Sequence, residues 1–220
     1  MEQLAMRESR DLINGNWGTV AFSARTVEPE QLICLLEGAS RTPSYLDEQP
    51  WNFIIATKDN SIEYERLVSC LAEVNVAAAR RAPVLMLSVV RLNTSFNGER
   101  NVHAFRDARH AVSNIVLRAK AMGLAAQQIT GFDAAKVREQ FQVPAGFAPT
   151  TGIAFGYPIV NGSAVLPHDR AGRSDRPIES FVFTGSWGRA STLINQPALE
   201  QSRRDSGCCK DAAERASSAA

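Results

Sequence analysis

The chain has almost no surplus of either charge. Its 24 Lys and Arg stand against 23 Asp and Glu, leaving +1. Proteins that work on nucleic acid need a basic excess to neutralise phosphates, so no nucleic-acid partner is expected. There is also no apolar run near the roughly 20 residues of a membrane span. Residues Met1 to Asn14 include Glu2, Arg7, Glu8, Arg10 and Asp11. Charges spaced that way interrupt the apolar stretch of a secretory signal, which implies a cytoplasmic protein with no membrane partner. Histidine and cysteine are scarce. The 3 histidines, His103, His110 and His168, fit no metal-site spacing. The cysteines Cys34, Cys70, Cys208 and Cys209 make neither a C-x-x-C pair nor a Cys/His cluster. No metal site is expected. Gly-x-Gly-x-x-Gly and the P-loop are absent, and with them the phosphate cradles of the common nucleotide-binding folds. Ser44 lacks the flanking glycines of a nucleophile elbow, which weakens a hydrolase reading.

What is present is ordinary globular composition, 45% hydrophobic and 21% charged over 220 residues. That length supports one full core. A helix near Leu4–Leu12 is plausible from the pattern. Pro29 looks like a first-turn proline, followed by Leu32, Leu35, Leu36 and Ala39 at helical spacing. Residues 51–57, Trp-Asn-Phe-Ile-Ile-Ala-Thr, read as a buried strand. Asn60 with Glu63 marks the cap of a helix whose stripe is Tyr64, Leu67, Val68 and Leu71. Residues 84–90 read as a second strand. The clearest helix runs from Ala104 to Met122 and stops at Gly123. Asp133 caps a shorter helix carrying Val137 and Phe141. Residues 151–157 read as a third strand, ended by Pro158. Cys34 and Cys70, inside apolar helical patterns, read as buried thiols. Alternating helices and apolar strands indicate an α/β or α+β domain.

Residues 158–195 differ. They are rich in Gly and Pro, and their apolar runs are short, Phe181-Val182-Phe183 among them. Such a stretch cannot build its own core. From Gln196 to Ala220 the chain is polar and rich in Ala and Ser, and is expected to be a disordered tail. The domain organisation expected is therefore 1–195 as one domain, with 158–195 as an extended arm, and 196–220 as tail.

The loop from Pro43 to Trp51 holds the most suggestive chemistry. Pro43 and Pro50 bracket a stiff turn just before a strand. Gln49 carries both donor and acceptor groups, which suits the edge of a heterocycle. On these residues alone the plainer account, a structural loop with Trp51 in the core, is favoured.

A resemblance shifts that balance. Pro43-Ser44 followed by Gln49-Pro50-Trp51 resembles the Pro-Ser-x-x-Asn-x-Gln-Pro-Trp motif of the nitroreductase family of FMN-dependent oxidoreductases. Ala82-Pro83-Val84-Leu85, Asp107 with Ala111, and Ala121-Met122-Gly123-Leu124 follow in the family's order. So do Gly131-Phe132-Asp133, Val143-Pro144, Ala154-Phe155-Gly156-Tyr157-Pro158, and Arg176-Pro177-Ile178 with Phe181-Val182 and Trp187-Gly188. The match runs from about Leu12 to Trp187. It implies an α+β fold with a central, mostly antiparallel sheet flanked by helices. It also implies a homodimer with FMN at the subunit interface and residues 158–195 crossing onto the partner. Hydride taken from NADH or NADPH would pass through the flavin to a small organic substrate. By the same resemblance Ser44, Asp47 and Gln49 face the flavin. Thr130 and Gly131 line its ring, and Arg173 and Arg176 lie near its phosphate. No protein side chain is singled out as catalytic, because the flavin carries the redox chemistry.

The departures from the family fall on flavin positions. Its opening Arg-Arg-Ser-x-Arg is here Asn16-Trp17-Gly18-Thr19-Val20, so Asn16, Trp17 and Val20 replace basic residues. Asp175 does the same in the closing segment, Asp47 replaces an Asn, and Arg109 a small residue. A charge-assisted contact is worth about 1.5–3 kcal/mol, so losing two phosphate arginines costs about 3–6 kcal/mol. Two accounts stand. One is a divergent FMN-dependent oxidoreductase. The other is a flavin-free protein of the same fold, either a repurposed biosynthetic enzyme or a non-catalytic binding partner.

Overall fold

The computed structural model describes residues 21–159, 176–189 and 191. The chain divides into two compact units, Met1–Gly172 and Arg173–Ala220. The helix expected near Leu4–Leu12, positions 16–20, His168, Arg173, Asp175, Cys208, Cys209 and the 196–220 tail lie outside the described residues.

In the first unit helix α1, Pro29–Ser40, starts on a proline that needs no amide partner. The side chain of Gln31 accepts from the Glu28 amide at 3.1 Å, tying the helix start. Strand β1, Trp51–Thr57, comes next. Helix α2, Ser61–Ser69, is capped by Asn60, whose oxygen accepts from the Glu63 amide at 3.3 Å. Helix α3, Glu73–Ala79, and strand β2, Val84–Arg91, lead to the long helix α4, Ala104–Ala121. Gly123 follows with φ +74°, the left-handed conformation that ends a helix without a Cβ penalty. Strand β3 spans Ala125–Ile129, helix α5 Ala134–Phe141 and strand β4 Phe147–Gly156. Asp133 caps α5, accepting from the amides of Ala135 and Lys136.

The four strands form one antiparallel sheet in the order β1-β2-β4-β3. The protein is thus α+β, an antiparallel sheet flanked by helices. Strand β2 lies inside the sheet, and residues Val84 to Val90 are all buried, so it is apolar on both faces. Val84 and Met86 pack on one face with Ile115, Val116, Leu35, Ile153 and Phe155, beneath α1 and α4. Leu85 and Leu87 pack on the other with Leu67, Val68, Val137 and Ala154, beneath α2 and α5. The Tyr64 hydroxyl donates toward the carbonyls of Ala79 (2.9 Å) and Ala82 (2.6 Å). Burial, then the charge of Glu65, pushes its pKa up to about 12.

The structure corrects several expectations. Strand β4 begins at Phe147, four residues before Thr151. The register slips between Ser88 and Val89, where Thr151 and Pro149 are the partners. This bulge admits a proline that has no amide to give the ladder. Strand β3, Ala-Ala-Gln-Gln-Ile, has weak strand propensity and owes its state to pairing with β4. Helix α3 has no side-chain cap at Ala72 and no long stripe to reveal it. Cys34 is half-buried rather than buried, and accepts from Arg118 Nε and a terminal guanidinium nitrogen at 3.3 and 3.2 Å. Cys70 is buried as expected, and burial pushes its thiol up.

In the second unit a short 3₁₀ turn, Ile178–Ser180, lies beside Arg176. Its guanidinium donates to the Ser180 hydroxyl (2.8 Å) and carbonyl (2.6 Å).

Candidate functional site

The Pro43–Pro50 loop joins α1 to β1 through a 3₁₀ turn, Tyr45–Asp47. Leu46, Asp47 and Gln49 have φ of +51°, +54° and +43°. Side chains with a Cβ rarely adopt such angles, and each costs about 1–3 kcal/mol unless its surroundings hold it. Two buried carboxylates do so here. Asp107, 1% exposed near the start of α4, accepts from the Tyr45 amide at 2.8 Å and from Arg106 Nε at 2.9 Å. Glu48, in the loop itself, points inward with a side chain only 3% exposed. Its carboxylate accepts from Arg91 (2.6 Å), the Ser95 amide (2.9 and 3.0 Å) and the Ser95 hydroxyl (3.0 Å). Arg91 also donates to the Glu48 carbonyl at 2.9 Å. A buried ion pair is costly unless fully hydrogen-bonded, and this one is bonded at both ends. The Tyr45 ring packs against His103, centroids 4.4 Å apart.

Asp47 and Gln49 flank Glu48 and are exposed. Ser44 is half-buried, and its oxygen accepts from the Gln49 amide at 2.9 Å. The Gln49 side chain donates Nε2–H to Asp47 Oδ1 at 3.0 Å. A carboxylate only accepts, so this bond dictates the orientation of the amide. The loop therefore turns acceptors outward: the second Asp47 oxygen and Gln49 Oε1. One Gln49 N–H remains as a donor.

Thr130 and Gly131 follow β3. Thr130 is exposed, and the Gly131 carbonyl accepts from the Ala72 amide (2.9 Å) and Asn75 Nδ2 (3.0 Å). A Cβ on Gly131 would stand 2.5 Å from that Asn75 nitrogen, so a larger residue there would displace the Asn75 side chain from its bond. Asn75 was not picked out from the sequence. It sits on α3, and its signal was a lone amide among Val74, Val76 and Ala77–Ala79. By strand pairing the Pro43–Pro50 loop and Thr130 lie at the same end of the sheet but on opposite edges. Three inter-strand gaps separate those edges, about 14 Å. One chain does not bring Ser44, Asp47 and Gln49 together with Thr130 and Gly131. Arg176 belongs to the second unit, and Arg109 is exposed on α4. Among the described residues no group of three or more His, Cys, Asp or Glu could hold a metal ion. Nor, among them, is any helix long and apolar enough to cross a membrane.

This fold, a helix-flanked antiparallel sheet, is shared with solved structures described as oxidoreductases and nitroreductase family proteins. An oxidoreductase containing FMN is 25% identical and superposes with a TM-score of 0.72, over 81% of this chain and 92% of that one. A nitroreductase family protein from Clostridium difficile 630 is 21% identical, TM-score 0.63, over 80% and 97%. A protein from Desulfovibrio desulfuricans described as a nitroreductase, in complex with FMN, is 22% identical, TM-score 0.63, over 81% and 96%. No curated protein matches the chain in sequence. Residues 62–157 match the nitroreductase family model, so over that stretch the chain is similar to the nitroreductase family.

Proposed function

We propose that this protein is an FMN-dependent oxidoreductase that reduces or dehydrogenates a small organic substrate, working as a homodimer with NADH or NADPH as hydride partner. The observation that carries the reading is the strained Ser44–Gln49 loop. Two buried carboxylates hold it, and it presents polar side chains outward. Strain of that kind persists where a loop must hold a recognition geometry.

The chemistry of the loop fits a flavin edge in part. The pyrimidine edge of a flavin has one N–H between two carbonyls. Asp47 and Gln49 Oε1 suit that N–H, and the remaining Gln49 N–H suits a carbonyl. Ser44, Asp47 and Gln49 would hold this edge, Thr130 and Gly131 would line the ring, and Arg173 and Arg176 would meet the phosphate. FMN, when bound, supplies hydride transfer, so the chain needs to bind, orient and exclude water rather than supply a nucleophile. The distance between the two sheet edges supports a site completed by a second copy of the chain.

One observation favours the flavin-free reading. Asp47 adds an anion that repels flavin carbonyls, and its bond to Gln49 occupies a donor. The test is the visible absorption spectrum of the purified protein, before and after excess FMN and removal of the unbound fraction. A retained flavin band is expected, and Asp47→Asn should tighten binding by about tenfold, the worth of one repulsive contact of about 1.4 kcal/mol. A colourless parent that refuses FMN, with Asp47→Asn also colourless, would sink the flavin reading.

A further inference from the structure

Glu48 occupies none of the positions that face outward, yet it has the most heavily bonded side chain of the loop. It lies between Asp47 and Gln49, both turned to solvent, while its own carboxylate points inward. Three separate elements meet on it. Arg91 comes from the end of β2, Ser95 from the turn between β2 and α4, and Tyr45 from the loop's own 3₁₀ turn, its carbonyl accepting the Glu48 amide at 3.1 Å. Arg91 holds both the carboxylate and the carbonyl of the same residue, which fixes the Glu48 side chain and its peptide together. The left-handed backbone at Leu46, Asp47 and Gln49 surrounds this anchor on both sides.

We propose that Glu48 is a positioning residue: through Arg91 and Ser95 it presets the backbone that aims Asp47 and Gln49 outward, before any ligand arrives. A preset loop has no ordering entropy left to lose on binding, so affinity depends on the anchor as well as on the contacting groups. The identity of the ligand as a flavin rests on the function proposed above; the anchoring does not.

The experiment is amide hydrogen exchange on the full chain, comparing the parent with Glu48→Ala, Glu48→Gln and Ser95→Ala. The amides of Asp47, Glu48 and Gln49 report the loop, and those of β2 and α4 report opening of the whole domain. Expected is at least tenfold faster exchange at the three loop amides in Glu48→Ala, with β2 and α4 unchanged. Glu48→Gln should change them less, because its amide oxygen still accepts from Ser95. Unchanged loop exchange in Glu48→Ala overturns the proposal. Acceleration of equal size in the loop and in β2 also overturns it, since that marks general loss of stability. Should Glu48→Ala fail to fold, Ser95→Ala and Glu48→Gln decide by the same criterion, local acceleration for the proposal and none or uniform acceleration against it. A parallel titration with FMN, read by quenching of flavin fluorescence, separates the two readings. A parent that takes up no FMN removes the flavin and leaves the exchange result to judge Glu48. A parent that binds at least tenfold tighter than Glu48→Ala, with partial recovery in Glu48→Gln, supports both. Equal binding by parent and Glu48→Ala removes the positioning role.

Discussion

Glu48 and Tyr64 show how one buried polar group can set a neighbourhood. Glu48 is ionic and closes its bonds with Arg91 and Ser95. Tyr64 is neutral and donates into two carbonyls that close the α3–β2 connection, Ala79 and Ala82. Its hydroxyl gives a pH prediction whose sign follows from linkage. The pKa rises from 10.0 to about 12 on folding. The contribution of Tyr64 is therefore complete below pH 10 and is lost as pH climbs through about 12. Stability should fall across that window by about 1.4 kcal/mol per pH unit from this residue. Tyr64→Phe should flatten the slope and, at neutral pH, cost about 1–3 kcal/mol by taking the hydroxyl donor from the Ala82 carbonyl, while Ala79 still accepts from the Ala82 amide. Urea unfolding of parent and variant from pH 8 to pH 12 measures both, and parallel slopes would refute the assignment.

Glycines at element ends separate two kinds of constraint. At Gly156, the last residue of β4, an added Cβ would stand 2.5 Å from Pro83 Cδ and 2.9 Å from Phe22 Cδ1. Neither neighbour is a flexible side-chain tip, so the backbone must shift, at about 1–3 kcal/mol. At Gly123, after α4, the space is open but φ is +74°. An alanine there pays only backbone strain, about 1 kcal/mol. Gly156→Ala should lower the melting temperature more than Gly123→Ala, and calorimetry of the two variants decides. The element boundaries follow the same division. The α4 stop was legible because Gly123 acts locally. The start of β4 was not, because Pro149 reads as a breaker until a bulge against β2 absorbs it.

The proposed function turns on how many chains make a site. The Pro43–Pro50 loop and the Thr130–Gly131 segment sit on opposite edges of one sheet. On the proposed reading, a ring held by both sets of residues has the loop of one copy beside the Gly131 of another. We expect light scattering to give twice the chain mass of 24.0 kDa, with or without FMN. A monomer in both conditions would remove the two-copy site, and with it the proposed grouping of Ser44, Asp47 and Gln49 with Thr130 and Gly131.

Much of this protein was legible locally. The caps at Asn60 and Asp133, the proline start of α1, the glycine stop of α4 and the apolar runs of β1 and β2 act within a few residues. Sequence alone therefore determined them, except that β1, expected to be buried, is an edge strand in which Ala56 is the buried residue. The Pro-Ser and Gln-Pro-Trp residues likewise marked the loop and the family that the chain resembles. Tertiary structure alone decided what depends on partners far along the chain. Strand β3 exists because β4 pairs with it, Asn75 matters because Gly131 approaches it, and the loop keeps its strained backbone because Asp107, Arg91 and Ser95 hold it. Those contacts join residues from 152 − 129 = 23 to 62 positions apart, a range over which no spacing pattern survives in the sequence.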